Sequence, residues 1–130
     1  MDEHDAEDLV AEHCPEIHYL HHGVDDAGQQ MPDWWFDLGT EWVRGALRDP
    51  EAKVLVHCHM GVNRAPSAAL ALLLHQGMAV RPALDAIRRA RPVAVIDYAR
   101  SALDWQLDRT AADGRTRRNA RRTLDRWRKA

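Results

Sequence analysis

The chain has 130 residues, 45% of them hydrophobic, enough to bury one core but hardly two. No apolar run approaches the ~20 residues needed to cross a bilayer, and the opening Met1-Asp2-Glu3-His4-Asp5 has neither the basic nor the apolar region of a signal peptide, so no membrane span and a cytoplasmic location are expected. The formal net charge of −2 hides a dipole: the first 43 residues hold twelve Asp and Glu and no Lys or Arg, whereas residues 109–130 hold nine Lys and Arg against Asp113 and Asp125.

In chain order, residues 5–13 are expected to form a short helix and residues 16–24 a strand. Pro32-Asp33 then opens a helix to about residue 48, with Asp33 as its cap and with Trp35, Leu38, Trp42 and Ala46 on one core-facing side. Asp49-Pro50 stops that helix, and residues 53–57 read as a buried strand. Pro66 suits a first helical turn, because the NH it lacks would be unpaired there anyway. Residues 68–75 are apolar nearly all round, which predicts a central buried helix ended by Gly77. Residues 81–91 predict an amphipathic helix with Leu84 and Ile87 inward and Arg88, Arg89 and Arg91 outward, terminated by Pro92. A further helix is expected over 96–110. After the break at Asp113-Gly114, a last one over 115–129 carries a narrow stripe of Ala120, Leu124 and Trp127. Alternating elements of this kind predict an α/β fold: a small, mostly parallel sheet with helices on its faces, and a functional loop at the carboxyl end of the 53–57 strand.

The chemistry concentrates in Val54-Leu55-Val56-His57-Cys58-His59-Met60-Gly61-Val62-Asn63-Arg64. Five residues between a cysteine and an arginine, with Gly61 free to adopt positive φ, let successive backbone NH groups converge on one anion. The following helix adds the positive end of its dipole. Cysteines so placed fall from ~8.5 into the range of about 3.5 to 7.5, which predicts a thiolate at Cys58. Arg64 offers a planar fork of donors to two oxygens of a tetrahedral oxyanion.

His57-Cys58-x-x-Gly61-x-x-Arg64, preceded by Val-Leu-Val, resembles the signature loop of the cysteine-based phosphatases, specifically their compact dual-specificity group. The resemblance covers roughly residues 17–107. It implies two-step hydrolysis of a phosphate monoester through a cysteinyl-phosphate, without metal or other cofactor. Cys58 would be the nucleophile, Arg64 the clamp, and an aspartate about thirty residues upstream the proton donor. Asp26 lies 32 residues before Cys58 and is preferred, although neighbouring Asp25 stays open. His59, Met60, Gly61, Val62 and Asn63 would line the cradle with Arg64, and His57 would support it from behind. Residues 1–112 would form the catalytic domain and residues 113–130 a basic helix packed on or extending from it.

Three features depart from the resemblance. The Ser or Thr usual after the arginine, whose hydroxyl assists departure of the thiolate, is Ala65, with Ser67 two positions on as an unsupported substitute. Arg-Ala-Pro is similar to members that act on glucans. Only 25 residues precede Asp26, so the fold is expected to be trimmed at the N-terminus or the chain to lack some of its natural start. The Pro-Asn turn that buttresses the loop is not recognisable in Arg91-Pro92-Val93-Ala94-Val95-Ile96-Asp97.

Eight histidines invite a metal reading, but His57 and His59 would project away from Cys58, so no metal site is expected. Cys14 and Cys58 are poor evidence for a disulfide scaffold, and the second must stay reduced to work. The partner expected is a phosphorylated protein or small molecule, with the basic C-terminal helix meeting an acidic partner or a second copy and with nucleic acid disfavoured. Two readings of different class remain: a phosphatase, and a phosphate-binding module without useful turnover. Arsenate reduction or sulfur transfer is a runner-up among enzymes.

Overall fold

The computed structural model describes residues 6–130. Six α-helices follow one another: α1 (Glu7–His13), α2 (Asp33–Ala46), α3 (Arg64–His75), α4 (Val80–Ala90), α5 (Ala99–Arg109) and α6 (Gly114–Lys129). The expected start of the first helix at Asp5 lies outside the described residues. No helix is long and apolar enough to cross a membrane.

α3 is the axis of the molecule. It packs against α2, α4 and α5, while α6 closes over α4 and α5. Its run Ala-Ala-Leu-Ala-Leu-Leu-Leu places Leu70, Ala71 and Leu74 in the interior, where they meet Ala83 and Leu84 of α4 and Ala102, Leu103 and Trp105 of α5. The helix stops where Gly77 adopts φ +98°, and the amides of Gly77 and Met78 return to the carbonyls of Leu74 and Leu73 at 3.0 and 3.1 Å. α2 turns a different face inward from the one its spacing suggested. Trp35, Phe36, Thr40 and Val43 are buried, Leu38 is exposed, and Asp33 is the first helical residue after Pro32 rather than the cap.

Pattern and packing agree best in α6. Asp113 caps it, accepting from the Thr116 amide at 2.7 Å, and that bond holds its carboxyl below the usual range. Leu124 and Trp127 are buried as the stripe required. Arg88, expected outward, lies with its guanidinium 3.5 Å over the Trp127 ring.

The α/β expectation is overturned: the described residues form helices and no strand, so there is no parallel sheet. A parallel ladder needs neighbouring extended segments in register, and buried strands of that kind are covered on both faces. Residues 53–57 have neither. They run without regular structure, with positions 54 and 56 half-buried and positions 53, 55 and 57 exposed, Leu55 by 85%. The alternation of a strand is present, but no partner pairs with it. Residues 16–24 likewise form no strand. They are held through His22, whose ring stacks on Trp35 at 4.9 Å, bonds the Trp35 carbonyl through Nε2, and whose own carbonyl accepts from Trp35 Nε1 at 3.2 Å.

Candidate active site

The chain enters the site along residues 53–57, bends through 59–63 and passes directly into α3 at Arg64. Gly61 makes the bend at φ +68°, in the region that suits glycine. Its amide donates to Cys58 Sγ at 3.3 Å. Partial burial pushes the Cys58 thiol up, but the amides of Ala65, Gly61 and Asn63 and the nearby Arg64 charge outweigh it, and the net direction is below an ordinary thiol. The loop and the first turn of α3 therefore converge on one sulfur.

Arg64 reaches across to the segment that carries Asp26. Its Nη1 donates to the Val24 carbonyl at 3.0 Å, and its Nε, buried and without a hydrogen bond, lies 3.7 Å from Asp26 Oδ2. Asp26 Oδ1 accepts two bonds, from Asn63 Nδ2 at 2.9 Å and from the Tyr98 hydroxyl at 2.7 Å. Asp25 is exposed, and its carbonyl accepts from Gln29 Nε2 at 2.6 Å. Of the two neighbouring aspartates, Asp26 is the one joined to the cysteine loop.

The remaining loop residues divide. His57, His59 and Met60 are exposed and Val62 is half-buried. Asn63, expected to line the cradle, is 8% exposed and bridges two segments, donating to Asp26 and accepting from the Asp97 amide at 2.5 Å. Ala65 is buried at the start of α3. Ser67 is wholly buried and its hydroxyl hydrogen bonds nothing, so it does not reach the Cys58 sulfur. Cys14 and Cys58 are both free and half-buried. Among the described residues, no three His, Cys, Asp or Glu group closely enough to hold a metal ion.

Two residues that carry the site were not visible in the sequence. Arg91, assigned only to an outward helix face, turns back and donates from Nε to the Gly61 carbonyl at 2.7 Å and from Nη2 to the Met60 carbonyl at 2.9 Å. The signal available was an arginine at a helix C-terminus, where such side chains commonly seek free carbonyls. Tyr98, just ahead of α5, carried no signal at all. The segment between them buttresses the loop although it lacks a Pro-Asn turn: the Val95 amide donates to the Val62 carbonyl at 2.8 Å, and Ile96, fully buried at φ 59°, fixes the bend that presents the Asp97 amide to Asn63.

The site thus combines a cysteine approached by loop amides, an arginine six residues on at the start of α3 and an aspartate tied to the same loop. The family model of the dual specificity phosphatase catalytic domain matches residues 2–106, and the chain belongs to that family. Among curated proteins, it is 33% identical over 66 residues to dual specificity protein phosphatase 13B of Mus musculus, covering 45% of this chain and 33% of that protein. It is 34% identical over 67 residues to PRL-1 phosphatase of Drosophila melanogaster, covering 52% of this chain and 36% of that protein. The chain thus spans about a third of the length of these relatives. No solved structure matches.

Proposed function

We propose that the protein hydrolyses phosphate monoesters through a cysteinyl-phosphate, with a phosphorylated protein or a small phosphorylated compound as substrate. The observation that carries this reading is the set of three backbone amides and one guanidinium bearing on Cys58 Sγ, which favours the anion a nucleophile must be. In the first step, Sγ bonds to phosphorus as the bond from phosphorus to the leaving oxygen breaks, and Asp26 gives that oxygen its proton. Arg64 and the loop amides, from His59 to Asn63, stabilise the equatorial oxygens. In the second, Asp26 takes a proton from water as the water oxygen bonds to phosphorus and the thiolate departs. A thiolate nucleophile suits a reducing compartment.

We assign this chemistry to residues 1–112, with residues 113–130 as a basic helix packed on them. Support for that division is the seating of α6 on α4 and α5 while its exposed side carries Arg115, Arg118, Arg122 and Arg126.

A second reading, a phosphate-binding module with little turnover, is favoured by Ala65, which removes the hydroxyl the family uses to help the thiolate leave. An aryl phosphate separates the two. The enzyme is expected to release a burst of phenol and then turn over slowly, and Cys58→Ser to release none. Absence of both burst and turnover in the wild type would favour the binding module.

A further inference from the structure

The two oxygens of Asp26 stand in different surroundings. Oδ1 is saturated by the Tyr98 hydroxyl at 2.7 Å and Asn63 Nδ2 at 2.9 Å, whereas the nearest cation to Oδ2 is Arg64 Nε at 3.7 Å. A carboxylate oxygen already accepting two short bonds is a poor site from which to deliver a proton, and its partner is the free one. The carboxylate side chain is 37% exposed, so the unburdened oxygen can meet a leaving group or water.

Tyr98 is suited to hold that arrangement. It is 2% exposed, and burial followed by the bond to Asp26 pushes its phenol above the ordinary value, so it stays protonated and able to donate. Its single proton serves Asp26 at 2.7 Å in preference to Gln29 Oε1 at 3.3 Å, while its oxygen accepts from the Gly28 amide at 3.1 Å. Three residues on, Ser101 Oγ accepts from the Met31 amide at 3.2 Å. The acid-bearing segment is therefore fastened at two points to the beginning of α5, and through Asn63 to the cysteine loop.

Building on the phosphatase reading, we infer that Tyr98 is a positioning residue for the general acid: it fixes Asp26 through Oδ1, so that Oδ2 carries the proton to the leaving oxygen and later accepts it from water. The Tyr98 hydroxyl bonds Asp26, Gln29 and the Gly28 amide and not the Cys58 sulfur. Its effect is on the step that needs the acid, and it leaves oxyanion binding alone.

The experiment uses Tyr98→Phe, which retains the buried ring and removes only the hydroxyl. Nitrophenyl phosphate, whose phenolate leaves without much help, is compared with phenyl phosphate, which needs the proton, and tungstate affinity reads the loop independently of turnover. General acid catalysis contributes about 10²- to 10⁴-fold. The variant is expected to lose on the order of tenfold or more in the burst rate on phenyl phosphate, much less in that on nitrophenyl phosphate, and nothing in tungstate affinity. Equal losses of burst rate on the two esters, no loss of burst rate on either, or a parallel loss of tungstate binding would each overturn the inference while leaving the phosphatase reading intact. Wild-type protein no more active than Cys58→Ser on both esters would remove that reading and the inference with it.

Discussion

Arg91 holds the cysteine loop from outside by its carbonyls. Its guanidinium bonds the oxygens of Gly61 and Met60 at 2.7 and 2.9 Å, and it lies so close to Gly61 that a Cβ there would stand 3.0 Å from Nε and Nη2. A peptide whose carbonyl is drawn outward presents its neighbouring amide inward. The inward amides around Cys58 and the outward clamp at Arg91 are two sides of one backbone conformation, and glycine at φ +68° is what allows it.

Arg91→Ala is expected to weaken tungstate or phosphate binding several-fold without touching the cradle itself, and Arg91→Lys to recover only part, because a single ammonium cannot span two carbonyls as a planar fork does. Gly61→Ala should be worse than Arg91→Ala, adding backbone strain to displacement of the clamp. Calorimetric titration with tungstate measures both. Unchanged affinity in Arg91→Ala would mean the loop holds its shape unaided.

The lowered Cys58 thiol has a definite sign in pH. Because its folded value lies below that of an ordinary thiol, the unfolded chain binds more protons in the window between the two values, and stability rises with pH there. That contribution is complete above the unfolded value and lost as pH falls through the folded one. Alkylation by iodoacetamide should show a midpoint below that of an ordinary thiol, moving upward in Arg64→Ala. A wild-type midpoint at the ordinary value would contradict the convergence of amides on the sulfur.

Ala65→Ser should restore a hydroxyl at the start of α3, where the Ala65 amide already faces the sulfur. Its expected effect is on breakdown of the intermediate: faster steady-state turnover with an unchanged burst rate, read by stopped flow on an aryl phosphate. An altered burst with the same steady state would place the deficit elsewhere.

Trp127→Ala tests whether α6 belongs to the core. The ring is 2% exposed, carries Arg88 3.5 Å over its face and donates from Nε1 to Asp85 Oδ1 at 3.2 Å. Truncating a buried tryptophan costs about 3–5 kcal/mol, which urea unfolding should show as a lowered midpoint. A loss under about 1 kcal/mol, as for an ordinary surface change, would mark α6 as an appendage.

Helices were legible where local signals agree. Asp113-Gly114 opens α6, Gly77 closes α3, and Pro92 stands just beyond α4, each through backbone chemistry confined to a few residues. The sheet was misread because Val54-Leu55-Val56 alternates as a strand does, yet a strand also needs a neighbour supplied by distant sequence, and alternation alone does not reveal one. The site divides similarly. Cys58, Gly61 and Arg64 act through spacing along one loop and could be found there, whereas Arg91 and Tyr98 act through hydrogen bonds to residues 30 and 72 positions away. Asn63 read from the sequence as part of the cradle lining; its buried bridging role depends on where Asp26 and Asp97 come to rest.

The nucleophilic role of Cys58 is tested most directly by covalent trapping. Protein mixed with an aryl phosphate is quenched by rapid denaturation within the burst, and its peptides are read by mass spectrometry. A phosphoryl group on Cys58, absent from Cys58→Ser and accumulating in the wild type because Ala65 slows its release, is the expected result. Phenol released in a burst with Cys58 unmodified, or with the phosphoryl group on another residue, would contradict it.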